Sequence, residues 1–146
     1  MPSLTVSLQP QGPIVSIAVA VSAQRQDAMT KAGFQAPLPV QAVALIDTGA
    51  SCTCIDPGII QQLGLVATGS TSIVTPSTGA IPHQCNQYDV SLSILLDNSR
   101  FHRLLTLPVI ETDLANAGVQ ALIGRDVLSE GILIYNGCSR TVTLSF

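Results

Sequence analysis

Short runs in which apolar and polar residues alternate, each closed by turn-forming residues, recur along the chain and restrict its fold more than any other feature. Leu4-Thr5-Val6-Ser7-Leu8 alternates strictly, as a strand with one buried face does. Pro10-Gln11-Gly12-Pro13 is turn chemistry. Residues 14–21 alternate again, so the two runs read as a hairpin. The pattern returns at residues 40–46, 88–96, 101–110, 132–135 and 141–146. Val90, Leu92 and Ile94 fall on one face of their run, and Asn136-Gly137 turns the last two runs into a closing hairpin. Ala121-Leu122-Ile123 is a shorter apolar run ending at Gly124.

Helix signals are few. Asp56 before Pro57 supplies an N-cap and a proline at the first helical position, opening a short helix through Ile59, Ile60 and Leu63 to Gly64. Residues 125–129 form a second short helix, stopped near Gly131. Residues 22–39 break the strand pattern and read as a short helix or a surface excursion. Eight or more short strands with one or two short helices predict an all-β, barrel-like fold. The length suits one domain over residues 1–146.

Composition narrows the function classes. Hydrophobic residues make up 47% of the chain but aromatics only 3%, with no Trp. The core must therefore be aliphatic, and its β-branched richness favours strands. The net charge is −3 with only six scattered Lys and Arg, so no basic stripe is available for nucleic acid and no charge run for an anionic membrane surface. The apolar run at 14–21 is too short to span a bilayer. Pro2, Gln9, Pro10, Gln11 and Pro13 argue against a signal peptide, and the expected compartment is the cytoplasm.

Cys52 and Cys54 form C-x-C, Cys85 and Cys138 form no second pair, and His83 and His102 stand apart. This is poor zinc-site spacing and sparse for a disulfide scaffold. The cysteines are expected as reduced thiols, some packed as small hydrophobes, with no metal and no cofactor. Neither histidine belongs to a Ser-His-Asp or Cys-His pattern.

The segment richest in chemistry is Ala44-Leu45-Ile46-Asp47-Thr48-Gly49-Ala50-Ser51. An apolar strand runs directly into an acid, which is disfavoured there unless the carboxylate is hydrogen-bonded. Thr48 offers a hydroxyl, and Gly49 lets the backbone turn and expose its N–H. Such a loop presents one carboxylate at a cleft with donors beneath it.

This segment resembles the active-site signature of retropepsin-like aspartic proteases, which include retroviral proteases and the protease domain of DNA-damage-inducible ubiquitin-shuttle proteins. Leu122-Ile123-Gly124-Arg125-Asp126-Val127-Leu128 resembles the family's second element, two apolar residues and a Gly before a short helix. The resemblance covers residues 40–146 and does not account for residues 22–39. It implies a closed, single-lobe barrel of the acid protease fold and an aspartic endopeptidase acting on an extended peptide. Asp47, Thr48 and Gly49 would be catalytic. Thr48 would hydrogen-bond across a dimer, and Gly49 would accept the substrate backbone. Ala50, Ser51, Cys52 and Cys54 would line the cleft. A flap is expected at residues 72–86, with Pro76, Ser77, Thr78, Gly79 and Ala80 at its tip. Ser51 stands where retroviral enzymes often carry an acid paired with the later Arg, which leaves the partner of Arg125 open.

The chemistry needs two carboxylates sharing one proton, yet the chain holds one Asp-Thr-Gly. Asp27, Asp56, Asp89, Asp97, Asp113 and Asp126 lack the following Thr/Ser-Gly, and the chain is too short for two lobes. The second Asp47 must come from a second copy in a homodimer, with the terminal strands expected in the interface. Two rival readings stand beside this one: a catalytically weak peptide-binding or assembly module, and a metal-binding β-domain built on Cys52 and Cys54.

Overall fold

A computed structural model describes residues 1–74 and 79–146. The chain opens with β1 (Ser3–Ser7), β2 (Ile14–Val21) and the helix α1 (Ala23–Lys31). Next come β3 (Val40–Ile46), β4 (Cys54–Ile55), α2 (Pro57–Leu63) and β5 (Gly69–Ile73). The long strands β6 (His83–Leu95) and β7 (Phe101–Glu111) precede β8 (Ala121–Ile123) and α3 (Arg125–Leu128). The hairpin β9 (Ile132–Asn136) and β10 (Thr141–Ser145) completes the order.

Alternation sets the faces. Val15, Ile17, Val19 and Val21 of β2 are buried while Ser16 between them is exposed. Val90, Leu92 and Ile94 of β6 are fully buried in the same core. Six strands pair in the order β2-β3-β8-β4-β7-β6, and β6 pairs back onto β2, so the sheet closes into a barrel. β5 extends from β6 as an antiparallel hairpin, with Ile73 opposite His83.

The start of α2 follows its sequence signal. Asp56 caps α2 by accepting from the Gly58 N–H at 2.9 Å. Gly64 ends it in the left-handed conformation at φ 59°, and Ile59, Ile60 and Leu63 are buried. Residues 22–39 contain α1, capped by Ser22, with none of its residues buried.

One expectation about the N-terminal region needs correction. β1 and β2 do not form a hairpin, because only an isolated Gln9–Gly12 bridge spans their turn. Instead β1 pairs with β10 in a separate sheet of order β1-β10-β9, while β2 enters the barrel. β1 lies at one edge of this sheet and pairs with β10 alone among the described residues. β10 is the middle strand of this sheet, bonded on both sides within one chain. Val142 and Leu144 are each 1% exposed, already packed into the chain's own core. Their burial stabilises the protomer itself, by roughly 1.5–3 kcal/mol per large side chain. Among the described residues, no helix is long and apolar enough to cross a membrane.

Candidate active site

Parallel pairing of β3 with β8 places the two sequence motifs side by side. Ile46 lies opposite Ile123, so Asp47 and Gly124 leave neighbouring strands at the same end. The Asp47 N–H donates to the Ile123 carbonyl at 3.0 Å. Beyond that bond the chain turns, with the Ala50 N–H donating back to the Asp47 carbonyl at 3.2 Å. Asp47 is half-buried as a residue, and its carboxylate accepts from the Gly49 N–H at 2.9 Å. A Cβ on Gly49 would stand 3.1 Å from Asp47 Oδ1, crowding the group that the loop presents.

The second motif clamps this loop. The Arg125 guanidinium donates to the Thr48 carbonyl at 2.8 Å, and the Arg125 backbone N–H donates to the Ala50 carbonyl at 2.9 Å. Arg125 thus holds main chain, which accounts for it with Ser51 in place of an acid. Gly124 is required by proximity, since a Cβ there would lie 2.6 Å from the Cys52 carbonyl carbon and oxygen.

Beneath the loop sits a polar network the sequence reading missed. Thr53 is fully buried. Its N–H donates to Asp126 Oδ2 at 2.9 Å and its hydroxyl to Asp126 Oδ1 at 2.8 Å. The same hydroxyl accepts from the Gly124 N–H at 3.1 Å. The signal was present in Cys52-Thr53-Cys54. Alternation on extended chain turns Thr53 away from its two neighbours, and a hydroxyl aimed into a core requires partners.

Asp47, Gly49, Ala50, Ser51, Cys52 and Cys54 line one cleft of about 480 Å³. Ile73 and Val74 close it from the β5–β6 hairpin, and Ile110, Thr112 and Leu122 complete its wall. Leu122 was legible in principle: Ala121 and Ile123 are fully buried, so the residue between them faces the other way. Thr48 is exposed and does not line the cleft. Gly79 and Ala80 are exposed in the turn between β5 and β6 and are not among the lining residues. Thr78 lies outside the described residues, with Pro76 and Ser77 of the expected tip.

The cleft wall is mostly apolar. Burial pushes the Cys54 thiol up to about 11 and raises Cys85 as well, so both stay protonated at neutral pH. His102 is remote from this chemistry, stacked on Phe146 at 3.7 Å between ring centroids and 3.2 Å from Glu130. His83 is exposed on β6. Among the described residues, no group of three or more His, Cys, Asp or Glu is arranged to hold a metal ion.

No protein-family model matches this sequence, and no curated protein matches it. Solved structures do match the fold. The retroviral protease-like domain of Ddi1 from Leishmania major aligns over 90% of this chain and 88% of its own, with a TM-score of 0.44 and 11% identity. A retropepsin-like aspartic protease from Rickettsia conorii aligns over 97% of this chain and 89% of its own, with a TM-score of 0.56 and 13% identity. A closed barrel, two motifs joined by parallel strands and this second likeness together give the chain the retropepsin-like fold.

Proposed function

We propose that the chain is an aspartic endopeptidase that hydrolyses peptide bonds as a homodimer. The observation that carries this reading is the carboxylate of Asp47, a half-buried residue, held by the Gly49 N–H in an apolar-walled cleft. Burying part of an acid at a strand end is unfavourable unless it is hydrogen-bonded, and a loop held by Arg125 and Thr53–Asp126 keeps it there.

One carboxylate does not suffice. Two copies related by a twofold axis bring two Asp47 residues together, and like charges at close range force them to share one proton. The ionised member takes a proton from water while the protonated member donates to the scissile carbonyl oxygen. The resulting tetrahedral intermediate collapses as the amine leaves with a proton. Thr48, exposed beside the acid, bonds to its counterpart across the axis, and Gly49 accepts the substrate backbone. Ala50, Ser51, Cys52 and Cys54 flank the peptide. Gly79 and Ala80 belong to the flap tip, and Ile73 and Val74 press the hairpin base onto the substrate.

The subunits join through β9. Its outer edge has no strand partner among the described residues, and Ile132, Ile134 and Tyr135 are more than half exposed. Such an apolar edge invites pairing. Antiparallel pairing of β9 with its symmetry mate would fuse the two three-stranded sheets. The test is cleavage of a peptide library at acidic and neutral pH, with Asp47→Asn as control. Cleavage by wild type alone supports the reading, and equal cleavage by the variant refutes it. Binding without cleavage at any pH would instead favour a peptide-binding module.

A further inference from the structure

Asn136 and Gly137 begin the turn between β9 and β10, and the fold accounts for only the first of them. Asn136 ends β9 opposite Thr141. Its Oδ1 accepts from the Ser139 N–H at 3.0 Å, which shapes the turn. Gly137 has no comparable task. It is not among the glycines in the left-handed region, and beyond its chain neighbours a Cβ there would meet only the Tyr135 ring, at 3.9 Å. Gly124 and Gly131, by contrast, stand where a Cβ would collide with main chain. What glycine leaves at position 137 is an amide nitrogen with no side chain beside it. That N–H donates to no partner among the described residues, and residues 136–140 are all exposed.

We propose that Asn136-Gly137 is a self-modification site, at which the folded chain converts Asn136 to aspartate and isoaspartate without an enzyme. The Gly137 nitrogen, its proton lost to solvent, attacks the Asn136 side-chain amide carbon. The two atoms are separated only by the Asn136 main-chain carbonyl carbon, Cα and Cβ, so the chain itself holds them close. A new C–N bond forms, the bond from that carbon to Nδ2 breaks, and ammonia leaves with a proton taken from solvent. The product is a cyclic imide. Water then opens the ring. Addition at the side-chain carbonyl gives aspartate, and addition at the main-chain carbonyl gives isoaspartate. The Ser139 N–H, bonded to Oδ1, faces the oxygen on which negative charge develops as the nitrogen adds.

Each conversion adds one negative charge to a chain whose net charge is −3. The aspartate form keeps the Ser139 bond, now to a charged acceptor. The isoaspartate form routes the main chain through the former side-chain carbon. The extra methylene enters where β9 meets the turn and disrupts the Asn136–Thr141 pair. Both changes fall beside Tyr135 and near Ile134, on the exposed strand through which the subunits were proposed above to join. The effect on assembly rests on that pairing, but the modification does not.

The chain carries its own controls, since Asn86, Asn98 and Asn116 precede Gln87, Ser99 and Ala117, whose side chains crowd the nitrogen that would attack. The experiment incubates the folded protein in mildly alkaline buffer at physiological temperature. The peptide spanning residues 132–141 is then mapped by mass and by isoaspartyl methyltransferase labelling. The expected result is the amide-to-acid mass gain at Asn136 alone, in both isomers, at a rate unchanged by urea below the unfolding transition. Isoaspartate marks the imide route, because direct hydrolysis of the side-chain amide gives aspartate only. Gly137→Ala, for which the turn has room, should fold and slow the conversion several-fold or more. An Asn136 that stays intact in folded protein while urea-unfolded protein converts would overturn the proposal. So would equal conversion at the other three asparagines, aspartate without isoaspartate, or an undiminished rate in Gly137→Ala. Converted and unconverted protein, separated by charge, are then compared by sedimentation. Weaker association of the converted form supports the effect on assembly, and equal association removes it. A chain that is monomeric from the outset leaves the modification standing and removes the β9 dimer.

Discussion

Asp126→Ala should destabilise the protein by about 3 kcal/mol although Asp126 touches no substrate. The carboxylate accepts from the buried Thr53 N–H and from the Thr53 hydroxyl, at 2.9 and 2.8 Å. Alanine leaves that N–H buried without a partner, which costs about 1–3 kcal/mol, and removes a hydroxyl bond to a charged acceptor worth about 1.5–3 kcal/mol. Relaxation and entering water recover part of the sum. Thr53→Val keeps the N–H bond but orphans the Gly124 N–H, now served by the hydroxyl at 3.1 Å, so about 2 kcal/mol is expected. Because the two side chains share one interaction, the double variant should fall short of the sum by about 1–2 kcal/mol. Urea unfolding at fixed protein concentration measures all three. With a slope of about 1–3 kcal/mol per molar, Asp126→Ala lowers the midpoint by about 1–3 M. A midpoint shift equivalent to less than about 0.5 kcal/mol, or strict additivity, would show that this network does not hold the loop.

Gly124→Ala pushes a methyl to within 2.6 Å of the Cys52 carbonyl and should cost about 1–3 kcal/mol, read by the same unfolding assay; an unperturbed midpoint would mean that the close approach is relieved freely. Ile134→Lys places a charge on the exposed β9 edge and should give folded monomers without activity by sedimentation, whereas an active monomer would contradict the shared-site dimer. Cys54 stays protonated in the folded chain up to about 11 from an ordinary 9.0. The unfolded chain therefore loses this proton first. Stability is unaffected below about pH 9 and falls as pH rises towards 11, and Cys54→Val should reduce that slope in pH-dependent unfolding.

Much of the fold was legible because its signals are local. Asp56, Pro57 and Gly64 bound α2 through cap chemistry that needs no tertiary partner, and the alternation of β2 and β6 matches their burial. Pairing was not legible in the same way. The turn at residues 9–12 reads as a hairpin, but it carries the chain from one sheet to another. The partner of β1 is a strand more than 130 residues away, Ser3 opposite Ser145, and no short-range pattern encodes that. Within the cleft, the Asp47 loop was visible because an acid after an apolar strand is a local anomaly. Ile73 and Ile110 are ordinary strand residues, and Thr112 an ordinary residue just past a strand end, until the barrel brings them together.

The central claim is that Asp47 supplies the reacting carboxylates of a peptidase, and cleavage of a peptide library by wild type and Asp47→Asn across pH tests it most directly. The amide is nearly the same size, so the variant should fold and dimerise yet show no turnover. Wild type should give a bell-shaped rate profile with an acidic optimum, since two identical acids sharing a proton are active in only one of their protonation states. Undiminished turnover by Asp47→Asn, or a profile flat from about pH 3 to 8, would contradict the account.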